Sequence, residues 1–145
     1  MTNESFGNKD YVPSMKLSGV CDSLGITGEK FGDGVCSVSC EVTNDHLNAG
    51  GVAHGGLHST MLDTALGGAL VSLIKKEEWC ATAQLDVSFL NAAYIDDVLM
   101  AEGKVLRRGK NLAHCEGFLS NQDGKVIATA KGTWAIWESK PRSMK

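Results

Sequence analysis

A chain of 145 residues with 43% hydrophobic and 21% charged side chains can bury a real core as one domain, which excludes a disordered tract and removes any need for disulfides or a structural metal. Fourteen Lys and Arg against 17 Asp and Glu leave a formal charge of −3, which argues against nucleic acid or an anionic membrane surface as partner. Glycine is the outlier, with 17 residues against 2 prolines.

Residues 1–20 lack strong periodicity and read as a lead-in or a short helix; Met1 to Asp10 is polar and carries no apolar run of the signal-peptide kind. From Leu24 to Val42 the pattern gives two strands about the turn Phe31-Gly32-Asp33-Gly34, with Cys36, Val38, Cys40 and Val42 alternating with Ser37, Ser39 and Glu41. Cys36 and Cys40 share a face as buried thiols, because no third or fourth ligand stands at a zinc spacing. With Cys21, Cys80 and Cys115 they make five cysteines without a C-x-x-C pair, so reduced thiols and a cytoplasmic location are expected.

A polar loop, Thr43 to Ala53, leads into Gly55 to Ile74, a stretch apolar on nearly every side at helical spacing. His58, Ser59, Thr60, Asp63, Thr64 and Ser72 interrupt it, which rejects a membrane span and leaves a buried core helix. Downstream, Ala81, Ala83, Leu85, Val87 and Phe89 alternate with Thr82, Gln84, Asp86 and Ser88 as a half-buried strand. Val98 to Arg107 and Leu112 to Leu119 are joined by Arg108-Gly109-Lys110-Asn111. Asn121-Gln122-Asp123-Gly124 then turns into a last strand, Lys125 to Trp137, with Val126, Ala128, Ala130, Gly132, Trp134 and Ile136 on one face.

The predicted order is two strands, one long helix and four strands in consecutive hairpins: α+β, with an antiparallel sheet of about six strands curled round the helix. The domain spans 21–138, between the lead-in and a polar tail at 139–145 that is expected to fray. A helix apolar all round outgrows one sheet face, so a second layer, such as another copy of the chain, is expected to complete its cover. Ala113, Cys115, Gly117, Ala128, Ala130 and Gly132 are expected to let helix and sheet approach closely.

Asp63 is the single formally charged side chain between Gly55 and Ile74, within a turn of Leu66 and Leu70. It lies too far into the helix to cap it. A carboxylate there either faces a gap in the sheet or serves chemistry, since poorly hydrated carboxylates make general bases. Ahead of it, His54-Gly55-Gly56 opens the helix. Unpaired N–H groups and the positive dipole end there, with no Cβ in the way, suit an oxyanion of acyl transfer; glycines that merely serve the turn are the plainer reading.

Asn48-x-x-Gly51-x-x-His54-Gly55-Gly56, followed by Leu62-Asp63 and the small run Thr64, Ala65, Gly67, Gly68 and Ala69, resembles the signature of hotdog-fold acyl-CoA thioesterases of the PaaI-like, phenylacetate-pathway type. The resemblance covers roughly residues 20–137. It implies hydrolysis of an acyl-CoA thioester at a dimer interface, with Asp63 as general base or nucleophile and the Gly55 N–H as oxyanion donor from the other subunit. Asn48 would place the attacked group or water, His54 would stand beside the oxyanion glycine, Gly56 would face the substrate, and Thr82 would position the water. Gly55 and Asp63 are eight residues apart, about 12 Å along the axis, so one helix cannot fill both roles.

Arg107-Arg108-Gly109-Lys110 is either a solvated turn or, as the family suggests, a contact for CoA phosphates. His46, His58 and His114 have no metal spacing among them, and His58 four residues after His54 is a lesser metal-pair reading; no cofactor is expected beyond the CoA of the substrate. The expected partners are an acyl-CoA and further copies of the chain, as homodimer or homotetramer, with no nucleic acid and no membrane. Two rivals stand beside this reading. One is a hotdog dehydratase or hydratase, whose patterns are not found here. The other is a non-catalytic acyl-CoA sensing module joined to a DNA-binding segment, for which residues 1–20 are too short and too weakly basic. Aromatic, medium and long acyl chains all remain open.

Overall fold

The structure, a computed structural model, describes residues 15–17 and 19–144, so most of the lead-in expected over residues 1–20 lies outside the described residues. A short helix α1 (Val20–Leu24) precedes β1 (Thr27–Gly32) and β2 (Val35–Glu41). After a 3-10 turn at Asn44–His46 come α2 (Gly55–Val71), β3 (Trp79–Phe89), β4 (Val98–Arg108), β5 (Leu112–Ser120) and β6 (Val126–Trp137). Another 3-10 turn, Arg142–Met144, follows in the polar tail. Helix α2 stops short of Ile74 because the Ser72 hydroxyl donates to Ala69 O (2.7 Å) and accepts the Gly34 N–H (2.8 Å), closing the helix end against the β1–β2 turn.

The six strands form one antiparallel sheet in the order β1-β2-β4-β5-β6-β3, and α2 lies in its hollow. This is the α+β hotdog arrangement. Leu57, Met61, Leu62, Ala65, Leu66, Ala69 and Leu70 of the helix are buried, while Ser59, Thr60, Asp63, Thr64 and Gly67 stay half-buried.

The expected run of four strands in consecutive hairpins is corrected. Among β3 to β6, β4–β5 and β5–β6 are hairpins, whereas β3 pairs with β6 and forms the far edge of the described sheet. Period-two alternation fixes which face a strand buries and leaves its neighbours unspecified. After β3 the chain passes the start of α2, where Ala53 N donates to Ala93 O (2.9 Å) and Asp96 N to Val42 O (2.8 Å), and enters β4 on the other side of the sheet.

The half-buried strand expected at Ala81 to Phe89 is corrected as well. Ala81 and Ala83 are exposed and Phe89 is 56% exposed, because an edge strand in a single chain is covered from one side only. Its alternation also breaks at a β-bulge. Cys80 and Thr82 stand opposite the buried Ile136 and Trp134, but past Ala83 it is Leu85, Val87 and Phe89 that oppose Gly132, Ala130 and Ala128. The extra residue moves the helix-facing set from even to odd numbers, so Thr82 faces the helix instead of sharing the outer face with Gln84, Asp86 and Ser88. A second bulge does the same in β4: Leu99, Ala101 and Val105 face inward, and beyond Leu106 it is Arg108, paired with the buried Ala113, that turns in.

Helix backbone meets sheet backbone at a residue outside the expected small set. A Cβ on Gly103 of β4 would lie 2.7 Å from the carbonyl carbon and oxygen of Ala65, in the backbone of α2. Gly117 behaves as expected, with its would-be Cβ 2.6 Å from Leu66 Cδ1. Gly132 differs, since its space is taken by the Trp134 ring and Gln84 O. Backbone has no rotamer by which to yield, so Gly103→Ala is expected to lower stability by about 1–3 kcal/mol through overpacking. Urea unfolding monitored by circular dichroism checks this as a fall in midpoint at unchanged slope.

Candidate active site

The loop before α2 is built by Asn48. Its Oδ1 accepts the backbone N–H groups of Gly50 (2.9 Å) and Val52 (3.3 Å), while Asn48 N donates to Val52 O and Gly51 N to Asn48 O. Gly51 supplies the positive φ of 81° that this tight loop needs. An Asn48 side chain so engaged holds the loop.

His54 caps α2. Its Nδ1 accepts the Gly56 N–H at 2.7 Å, doing with an imidazole what Ser or Asp does at most helix starts, and a Cβ on Gly56 would lie 2.9 Å from that same nitrogen. Leu57 N donates to His54 O. That leaves the Gly55 N–H, which no group among the described residues accepts. A cleft of about 410 Å³ opens beside it, lined by Ala53, Gly55, His58 and the segment from Phe89 to Ala92. Phe89 leans over the glycine, 3.1 Å from where a Cβ would stand.

Asp63 occupies the half-buried side of α2, and Thr82 Oγ1 donates to its Oδ1 at 2.6 Å. The two are brought together by the β3 bulge, the feature that alternation in the sequence hid. Within one chain the predicted residues fall into three groups: Asn48, His54, Gly55 and Gly56 at the helix start, Asp63 with Thr82 about two turns on, and the basic β4–β5 tip. Thr82, Trp134, Ala113 and Arg108 occupy one rung across β3, β6, β5 and β4, which sets the tip roughly 14 Å from Thr82 at ordinary strand spacing.

The basic tip divides. Arg107 and Lys110 are exposed, but Arg108 turns inward to an ion pair with Glu78, their side chains 8% and 11% exposed, and donates to Gly109 O at 2.9 Å. Glu78 also accepts Lys75 N at 2.8 Å, which ties the loop after α2 to the hairpin. No sequence pattern linked these residues, which are thirty apart.

Among the cleft residues outside the predicted site, two carry rings, Phe89 and His58. His58 is 4% exposed, neither ring nitrogen has a hydrogen-bond partner, and its ring lies 6.2 Å from that of Phe89. Its spacing from His54 suggested a metal pair, but His54 Nδ1 is engaged in the cap; among the described residues no three His, Cys, Asp or Glu converge on a point. The five cysteines are free and buried, and burial pushes the Cys36 thiol up to about 11 and those of Cys80 and Cys115 to about 12, so these three are poor nucleophiles. A cavity of about 690 Å³ is lined by outer-face residues including Lys104, Glu116 and Lys131 and by none of the predicted site residues. Among the described residues no helix is long and apolar enough to cross a membrane.

The sequence pattern of the Thioesterase superfamily matches residues 50–128, a span that includes Gly55, Asp63 and Thr82. A Caenorhabditis elegans protein is 36% identical over 70% of this chain, which spans 62% of that relative's length; its name marks it as a candidate esterase. Human acyl-coenzyme A thioesterase 13 is 31% identical, over 66% of this chain and 70% of its own. The solved structure of the Escherichia coli PaaI protein, from the phenylacetic acid degradation operon, superimposes with a TM-score of 0.77 at 25% identity, covering 83% of this chain and 85% of that one.

Burial, and secondarily the neighbouring His54, lowers the pKa of His58 from its ordinary 6.5. The unfolded chain therefore binds a proton at this residue at a higher pH than the folded chain does. Its contribution to stability is complete above pH 6.5 and is lost as pH falls below it. His58→Gln is expected to lose less melting temperature than the parent between pH 7.5 and 5.5, as differential scanning calorimetry can measure.

Proposed function

The chain belongs to the thioesterase superfamily, and we propose that it hydrolyses an acyl-CoA thioester to the free acid and CoA. The observation that carries this reading is the Thr82–Asp63 hydrogen bond of 2.6 Å on a helix with no other charged side chain, at a position that the family pattern covers. The human relative, an acyl-coenzyme A thioesterase by name, supports CoA as the thiol carrier.

Asp63 acts on the thioester as general base toward water or as the attacking carboxylate. Thr82, donating to one carboxylate oxygen, holds the other toward the reacting centre. The carbonyl oxygen takes the Gly55 N–H, freed from other duties by the His54 cap on Gly56 and approachable because glycine has no Cβ. Asn48 keeps the loop in shape and turns its amide nitrogen toward substrate. Gly56 leaves room at the same turn. Arg107 and Lys110 meet CoA phosphates, while Arg108 stiffens the tip from inside. This chemistry asks for no cofactor, and reduced buried thiols suit the cytoplasm.

The site is completed by a second subunit. Thr82 and Phe89 lie toward opposite ends of β3, an 11-residue strand at the edge of the sheet formed by the described residues. Antiparallel pairing of two β3 edges about a two-fold axis near Leu85 and Asp86 sets Thr82 of one chain opposite the Phe89 end of the other. Asp63 then meets the partner subunit's Gly55, which one helix cannot arrange. The assembly is a homodimer, alone or doubled into a homotetramer.

Asp63→Asn is expected to lower kcat for thiol release from acyl-CoA by about 10²- to 10⁴-fold. Hydrolysis at the parent rate would overturn the mechanism. Sedimentation of the active species should give at least a dimer, and a fully active monomer would contradict the shared site.

A further inference from the structure

His58 carries an unmet chemical demand. Its side chain is 4% exposed, yet Nδ1 and Nε2 both lack a partner, and a buried polar group left unpaired is costly enough that native structures rarely keep one without a reason. It lines the cleft beside Gly55, three residues on from that glycine and so about 4.5 Å further along the axis. Helical side chains lean toward the N-terminus, which carries the imidazole back toward the free Gly55 N–H.

The remaining walls are largely apolar: Ala53, Phe89, Leu90 and Ala92. Asn91 donates its side-chain N–H to Val126 O at 2.7 Å. Burial keeps the imidazole neutral, and a neutral imidazole offers one N–H donor and one lone pair. A carboxylate or ammonium would carry a net charge against apolar walls, a carbonyl would meet only the donor, and a plain alkyl chain would meet neither. An alcohol both donates and accepts.

We propose that the cleft between Gly55 and Phe89 takes an acyl group bearing a hydroxyl within a few carbons of the thioester carbonyl, and that His58 recognises that hydroxyl. The inference rests on the thioesterase reading, in which Gly55 fixes the carbonyl at the cleft mouth. His58 is then a specificity residue of the acyl site.

The test compares thiol release from hexanoyl-CoA and from its 2-, 3- and 4-hydroxy counterparts, by the parent and by His58→Leu. The parent should favour at least one hydroxylated substrate in kcat/KM by about tenfold or more, and H58L should bring that ratio close to one. Equal kcat/KM across the set in the parent, or an unchanged ratio in H58L, would overturn the proposal. A second measurement needs neither turnover nor a substitution at His58. In D63N labelled with ¹⁵N-histidine, the His58 ring resonances should shift on adding the favoured hydroxyhexanoyl-CoA and respond less to hexanoyl-CoA; equal responses would overturn it. Failure of the thioesterase reading looks different, as absence of thiol release from every substrate in the parent, and the resonance test still decides the hydroxyl site in that event.

Discussion

The whole arrangement depends on pressing α2 into the hollow of the sheet until backbone meets backbone at Gly103 and Ala65. A helix held that tightly can carry almost no charge. Asp63 survives because it falls on the side that the sheet leaves half-open and because a threonine hydroxyl reaches it. The start of the helix lies beyond the packed stretch, so its free N–H group remains available to a ligand. One packing decision thus separates the two chemical groups of the chain, the carboxylate along the helix and the donor at its tip.

The sheet shifts register at several points, and two of the shifts, in β3 and β4, bear on polar side chains. In β3 the bulge at Ala83 hands the inward positions from even to odd residues, and in β4 the bulge at Leu106 does the reverse. Each shift delivers one polar side chain to the inside: Thr82 to Asp63, and Arg108 to Glu78. Buried Arg108 keeps to the rule that buried polar groups find partners except at its Nε, which has none among the described residues. The first pair sits on the half-open side of α2, and the second anchors the hairpin that projects Arg107 and Lys110.

Much of this was legible in the residues. The apolar run from Gly55, the turns at Gly32 to Gly34 and Asn121 to Gly124, and the alternation from Val126 to Trp137 state their elements directly. The glycines beside His54 and the lone Asp63 stood out as candidates, because each departs from its surroundings in a way that packing alone does not require. Strand partners were not legible, since a period-two pattern holds no information about which neighbour lies alongside, and β3 pairs with β6 across a long separation in sequence. Bulges were hidden for a sharper reason. Ala83 looks like one more apolar residue in a perfect alternation, so the pattern read straight through it and left Thr82 on the wrong face. For His58 the spacing offers only a lesser metal-pair reading, and its burial without a partner is visible only in the fold.

The two bulges also make the protein sensitive to the parity of its chain. Removing Ala83 or Leu106 would leave the composition almost untouched, yet it would let the alternation run unbroken, so that everything on one side of the deletion changed face relative to the other. The turn at Asn121 to Gly124, held by its own asparagine, is under no such constraint, and several added residues there would leave every strand in phase. Within this family of folds, insertions should therefore gather at hairpin tips, while β3 and β4 keep their residue count even where their residues change.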